Sequence, residues 1–113
     1  MLTEGTKRNA YLYTSDAVSA LLYVAAHGTV GRAYNAANDA TFCAVRDMAH
    51  MVAHEFGSGS CSVRFEIDEK AAIRFRKGDM LRLDVSDLRG LGWTPRVGLA
   101  RMYERLIASW QSQ

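Results

Sequence analysis

Residues 9–28 read NAYLYTSDAVSALLYVAAHG, and the change of hydrophobic period inside this stretch sets the fold class. Tyr11 and Tyr13 alternate with other residues, which predicts a short strand over 9–14. Ser15 or Asp16 then caps a helix. Asp16 suits that position because a carboxylate accepts from the free N–H groups and sits at the positive end of the helix dipole. Val18, Leu21, Leu22 and Ala25 follow at i, i+3, i+4 and i+7, the spacing of one helical face. This predicts an amphipathic helix over 17–27 with that face toward the core, stopped by Gly28.

Working outward, residues 32–37 read as a second short strand, with Asn38, Asp39 and Thr41 as a turn. A helix is expected from about 43 to 56, with Val45, Met48, Ala49, Val52 and Phe56 along one face. Gly57-Ser58-Gly59-Ser60 makes a loop, too short to link two domains. Val63, Phe65 and Ile67 then alternate with Arg64 and Glu66, the pattern of a half-buried strand. Residues 69–76 hold at most one helical turn. Asp84 is placed to cap a short helix running to Leu91, with Asp87 three residues on in a capping-box arrangement. Gly92 ends that helix and Pro95 keeps the chain extended. The clearest helix is the last, where Leu99, Met102, Tyr103, Leu106, Ile107 and Trp110 form a stripe opposite Arg101, Glu104 and Arg105. The order β-α-β-α-β followed by two helices describes one small α/β (α+β) domain over 1–113, mostly helical, with a few short strands.

Composition agrees. The chain has 113 residues, 49% apolar and 23% charged, with a formal net charge of +2. That apolar content and low net charge exclude a disordered chain, and the length is enough for a core without staples. There is no uncharged apolar run of about 18 residues to cross a membrane, and no signal peptide is visible. A charge of +2 without a large basic cluster argues against nucleic acid as the main partner. Cys43 and Cys61 share no metal-type spacing and are expected as reduced thiols in a cytoplasmic protein.

The usual catalytic signatures are missing. Gly-x-Gly occurs at 57–59 and 90–92, but neither run has the third glycine of a dinucleotide-binding turn, and Gly57 follows a helix rather than a strand. No tyrosine has a lysine four residues on, and no serine lies in Gly-x-Ser-x-Gly. Cys43, His50 and His54 fall within roughly 40° of one another on a helix, a set that could interest zinc. Spread over about 16 Å of rise, however, they are better read as a solvated stripe, and no metal is expected. Arg74-Phe75-Arg76-Lys77-Gly78-Asp79-Met80-Leu81-Arg82 is the densest basic run. Its arginines could grip a phosphate in bidentate fashion, with the Asp accepting from a ribose hydroxyl; a solvated basic loop is the plainer alternative. Asn35 is expected to be a hydrogen-bonded structural residue.

Four segments together resemble a known family. Tyr11-x-Tyr13-x-x-Asp16-Ala17-Val18-Ser19-Ala20 resembles the aromatic-x-Tyr-Val-x-Asp segment of NAD-dependent epimerases and dehydratases, the extended short-chain dehydrogenases/reductases that modify sugar nucleotides. Ala33-Tyr34-Asn35-Ala36-Ala37-Asn38 is similar to their Tyr-Asn-Val strand, and Arg76-Lys77-Gly78-Asp79 to their Arg-x-Gly-Asp loop. Asp84-Val85-Ser86 through Leu91-Gly92-Trp93-x-Pro95 resembles their D-x-S-K-x-x-x-L-G-W-x-P ending, with Gly98-Leu99 opening the terminal helix. The pieces occur in order at compatible spacings over about residues 5–110.

The resemblance covers only the C-terminal, substrate-binding portion of that family. It implies that the Rossmann domain, which binds NAD and carries the catalytic Tyr-x-x-x-Lys pair, is absent from this chain. The parent enzyme would use NAD for transient hydride transfer on a nucleotide sugar. This chain would bind no cofactor and carry no catalytic residue. By the same resemblance Arg76 contacts the nucleotide diphosphate and Asp79 lies near the ribose. A second family arginine, which also helps bind the phosphates, stands seven residues before the Asp of the first segment. Counting back from Asp16 reaches Asn9, with Arg8 one place earlier, so this sequence departs from the pattern and Arg8 and Asn9 are both candidates. Trp93 and Pro95 are expected to pack. The alternative is a non-catalytic binding module that self-associates through apolar surface left exposed by the missing domain.

Overall fold

In a computed structural model, the chain is described for residues 1–70 and 80–112. It is a small α+β fold. Three strands, β1 (Arg8–Tyr11), β2 (Asn38–Ala44) and β3 (Met80–Leu81), form one sheet in the order β2-β1-β3. The helices are α1 (Thr14–His27), α2 (Val45–Phe56), α3 (Ser86–Gly90) and α4 (Leu99–Gln111). β1 runs antiparallel to β2, with Arg8 opposite Ala44 and Asn9 opposite Cys43. It runs parallel to β3, with Arg8 beside Met80 and Asn9 beside Leu81. The register shifts between Asn9 and Tyr11, where β2 bulges.

The second strand lies later than its pattern suggests. Residues 32–37 form no strand, and β2 begins at Asn38, among the residues read as a turn. The cause is that two polar side chains with turn character are buried and bonded here. Thr41 Oγ1 accepts the Tyr11 N–H at 2.6 Å and lies 2.9 Å from the Tyr11 carbonyl. Asn38 Nδ2 donates to the Val97 carbonyl at 3.1 Å. Such side chains hold two segments together where an apolar residue could only pack.

The expected strand at 63–67 also departs from its pattern. Residues 60–68 carry no strand, and Phe65 and Ile67 are exposed. The segment is extended all the same, because the Glu66 and Asp68 N–H groups donate to the Met1 and Leu2 carbonyls at 2.7 and 2.9 Å. The short helix is trimmed to Ser86–Gly90. Asp84 accepts the Ser86 N–H at 2.9 Å, but Asp87 makes no capping box and pairs with Arg32 instead, also at 2.9 Å. In the final helix Leu99, Met102, Tyr103 and Ile107 of the stripe are half-buried, while Leu106 and Trp110 are exposed.

α1 is turned relative to the expectation. Leu21 and Leu22, at 72% and 67% exposure, and Val18 lie outside, while Ala20 is buried and Tyr23 and Val24 pack on the core. That core is Ala20, Leu88 and Trp93, with Leu12, Ala36 and Leu91 against it. The small Ala20 lets the helix lie close to the buried indole. Trp93 Nε1 donates to Ser19 Oγ at 3.0 Å, and that hydroxyl donates to the Asp16 carbonyl at 2.8 Å, so the indole N–H is satisfied inside the core.

Asp16 is not an N-cap. It lies in the first turn of α1, buried, and its two oxygens accept the Arg96 and Val97 N–H groups at 3.0 and 2.9 Å. Val97 is thus held from both sides, its N–H by Asp16 and its carbonyl by Asn38. The segment entering α4 is fixed to α1 and β2 by side chains rather than by a sheet ladder.

Candidate functional site

Two of the four candidate binding residues are described, and the sheet sends their side chains to opposite faces. Arg8 and Asn9 occupy the first two positions of β1, and the strand paired with them begins at Met80, one residue after Asp79. Arg76 and Asp79 lie outside the described residues. The Arg8 side chain is exposed, with no hydrogen bond or ion pair among the described residues, whereas Asn9 is half-buried, near the Tyr11 phenol.

Side-chain alternation sorts the sheet into two faces. Asn9, Cys43 and Leu81 share one, and Arg8, Phe42, Ala44 and Met80 positions share the other. Near the first face Tyr11 lines an apolar cleft of about 270 Å³ with Tyr13, Met48, Leu99, Met102 and Tyr103. Tyr103 Oη donates to Met48 Sδ at 3.2 Å, tying α4 to α2. Burial, and then the neighbouring Cys43 and Tyr103, push the Tyr11 phenol above its ordinary range. Burial, and then Asp47, push the Cys43 thiol up as well. Both groups are thereby held neutral at pH 7 and are poor proton donors or nucleophiles.

The other face carries two arginines. Arg82 stands two residues beyond Met80, and its guanidinium lies over the Phe42 ring, 5.1 Å from the centroid. Arg82 also lines a cleft of about 500 Å³ with Asp39, Asp84, Ser86 and Arg89. The acids there are engaged. Asp39 faces Arg89 at 3.8 Å and Asp84 accepts from Ser86, whose hydrogen bonds hold the Asp84 carboxyl below the usual range.

A second cleft, about 510 Å³, lies where α1 begins and is lined by Ser15, Ser19, Trp93, Arg96 and Arg105 among others. Arg105 sits over the Tyr13 ring at 5.3 Å. The latch made by Asp16 forms one wall of this cleft.

The zinc alternative loses its geometry. Cys43 is in β2, so it shares no helix with His50 and His54 of α2. The His50 ring instead packs near Phe65, with centroids 6.2 Å apart. Among the described residues no group of three His, Cys, Asp or Glu side chains is placed to hold a metal ion.

Among the described residues no glycine turn leads from a strand into a helix. The diphosphate of NAD requires such a turn. Gly57 and Gly59 follow α2, and Gly92 follows α3 with the Tyr23 hydroxyl 2.9 Å from where a Cβ would stand. Among the described residues no helix is long and apolar enough to cross a membrane.

Asn35, expected in a strand, is exposed and donates to the Asp84 carbonyl at 3.1 Å, which ties its loop to the start of α3. Arg82 closes the basic run but nothing in its spacing distinguished it from the other arginines there. Its partner Phe42 lies forty residues away in sequence, and only the sheet register joins them. No family model matches the sequence, and no curated protein matches it.

Proposed function

We propose that this chain is the substrate-binding portion of an NAD-dependent epimerase or dehydratase acting on a nucleotide sugar. In this reading it grips the nucleotide diphosphate, while a Rossmann domain outside the chain binds NAD and performs hydride transfer. The observation that carries the reading is the β1–β3 pairing, which sets the chain immediately after the Arg76–Asp79 motif beside Arg8. The chain that follows one nominated motif is thus paired with the strand that carries the other candidates. The buried Trp93 and the structural Asn35 also agree with the roles expected of those motifs. Arg76 would pair with the diphosphate in bidentate fashion and Asp79 would accept from the ribose. Orienting the nucleotide end positions the sugar for chemistry elsewhere.

Titration of the chain with a nucleoside diphosphate sugar tests this. Arg76→Ala is expected to weaken binding about tenfold or more, the loss of one charge-assisted pair. Unchanged binding by that variant contradicts the reading, and so does reduction of NAD by the purified chain alone.

A second reading, a self-associating module without catalytic role, is favoured by one observation. Val18, Leu21 and Leu22 leave an apolar stripe on α1 facing outward, on a helix whose only acid, Asp16, is buried. A second copy would meet no like-charge repulsion there. Sedimentation velocity at high concentration separates the readings, since a strictly monomeric chain rules this one out.

A further inference from the structure

We propose that Met48 is a redox-sensitive joint between α2 and α4, loosened when hydrogen peroxide converts its thioether to the sulfoxide. The proposal stands apart from the nucleotide-sugar reading, because neither Met48 nor Tyr103 belongs to the segments that carry that reading.

Three observations support it. Tyr103 Oη donates to Met48 Sδ at 3.2 Å, and among the described residues no other hydrogen bond or ion pair joins α2 to α4. No residue of either helix is buried, so deep packing does not hold the joint. Met48 is half-buried, and both it and Tyr103 line two clefts. One is the apolar cleft of about 270 Å³ with Tyr11 and Tyr13; the other, of about 400 Å³, is shared with Val52, Cys61 and Val63. A small oxidant can therefore reach the sulfur, and there is room beside it for one more oxygen. The start of α4 is held separately, through the bonds of Asp16 and Asn38 to Val97. Loss of the Met48 contact thus frees the body of the helix and leaves its first residue anchored.

The chemistry is a two-electron oxidation. A sulfur lone pair attacks one peroxide oxygen, the O–O bond breaks and an S–O bond forms. The sulfur is oxidised, the peroxide is reduced, and its second oxygen leaves as water after proton transfer. A pliable apolar side chain becomes a polar one whose oxygen needs hydrogen-bond donors. Val45, Ala49, Leu99 and Met102, which line the clefts, offer none, and the Arg64 guanidinium is paired with Glu66. Tyr103 has a single O–H to give, so water must supply the rest. Water admitted at that point parts α4 from α2.

The test measures amide exchange by mass spectrometry on the full chain before and after hydrogen peroxide, in a Cys61→Ser background that removes the exposed thiol. Once Met48 is oxidised, exchange in α4 is expected to quicken about tenfold, while α1, which contains no methionine, is unchanged. Treatment with methionine sulfoxide reductase should restore the original rates. In Met48→Leu, peroxide should leave α4 exchange within about twofold of its untreated value, although Met51 and Met102 remain to be oxidised. Tyr103→Phe, which keeps the ring and removes the donor, should quicken α4 before any oxidant is added. Rates in α4 that do not move with Met48 fully oxidised overturn the proposal, as does Met48 staying reduced after the other methionines have reacted. An equal response in Met48→Leu overturns it by assigning the effect to Met51 or Met102. Equal quickening of α1 and α4, or failure of the reductase to reverse the change, marks general unfolding and also overturns it. The reversal on the parent chain keeps the test independent of how any Met48 variant folds.

Discussion

The first turn of α1 shows how much one carboxylate carries. Asp16 accepts two backbone N–H groups of a loop far along the chain, and an Ala there leaves both without partners. Each orphaned group costs about 1–3 kcal/mol. Asp16→Asn keeps one acceptor oxygen and is expected to cost about 1–2 kcal/mol, with Asp16→Ala clearly worse, as read by urea denaturation. A substitution of Asp16 that leaves the midpoint unmoved shows that the latch contributes nothing. The thiols provide a second residue-scale prediction. Cys61 is exposed, whereas Cys43 is half-buried with its ionisation pushed up by burial and then by Asp47. Alkylation at pH 8 should therefore modify Cys61 first, and Asp47→Asn should bring Cys43 labelling to lower pH. Because the folded thiol ionises later than the unfolded one, its effect on stability is nil below the ordinary thiol range. It turns unfavourable as pH rises through that range.

At the scale of elements, periodicity located the helices and misled about the buried face of α1. The Val18, Leu21, Leu22 and Ala25 spacing is a sound helix signal, but which stripe is buried depends on what lies opposite. Here the partner is the flat Trp93 indole, which is met by the small Ala20. Leu21→Glu is thus expected to change stability by less than about 0.5 kcal/mol, the range for exposed sites, while reducing any self-association seen by sedimentation. The strands were less legible because their polar residues bond across the fold. Asn38 and Thr41 carry turn chemistry in sequence and strand chemistry in space. Candidate binding residues were legible only as motif pieces, and the pairing that sets Arg8 beside β3 is a long-range event invisible to local pattern. α3 adds a pH effect. The Ser86 hydrogen bonds depress the Asp84 carboxyl, so its contribution is complete above the ordinary carboxylate range and disappears as pH falls through the depressed value. Amide exchange at Ser86 should quicken in acid relative to exchange in α2, after correction for intrinsic rates.

For the whole molecule, surface exceeds what a compact chain would show. The accessible area is 8200 Å² against about 6200 Å² expected at this mass. The radius of gyration is 16.9 Å where about 13 Å is usual for this length. The core is thin and joined by polar latches, with apolar residues outward on α1. The N-terminal segment is one of the ties. Gly5 has φ +66°, its carbonyl accepts the Arg46 N–H at 2.9 Å, and a Cβ there would stand 2.9 Å from that nitrogen. Gly5→Ala is expected to cost about 1–3 kcal/mol and to speed hydrogen exchange at Glu66 and Asp68, which donate to the same segment. The Asp16 latch also bears on the order of assembly. It joins residues 80 apart, and the Asn38 bond to the same Val97 spans 59. Closing loops of that size is entropically uphill until both ends are already shaped. The segment carrying Trp93, Arg96 and Val97 is therefore expected to lock late, and during synthesis α1 must wait for it, its indole socket open.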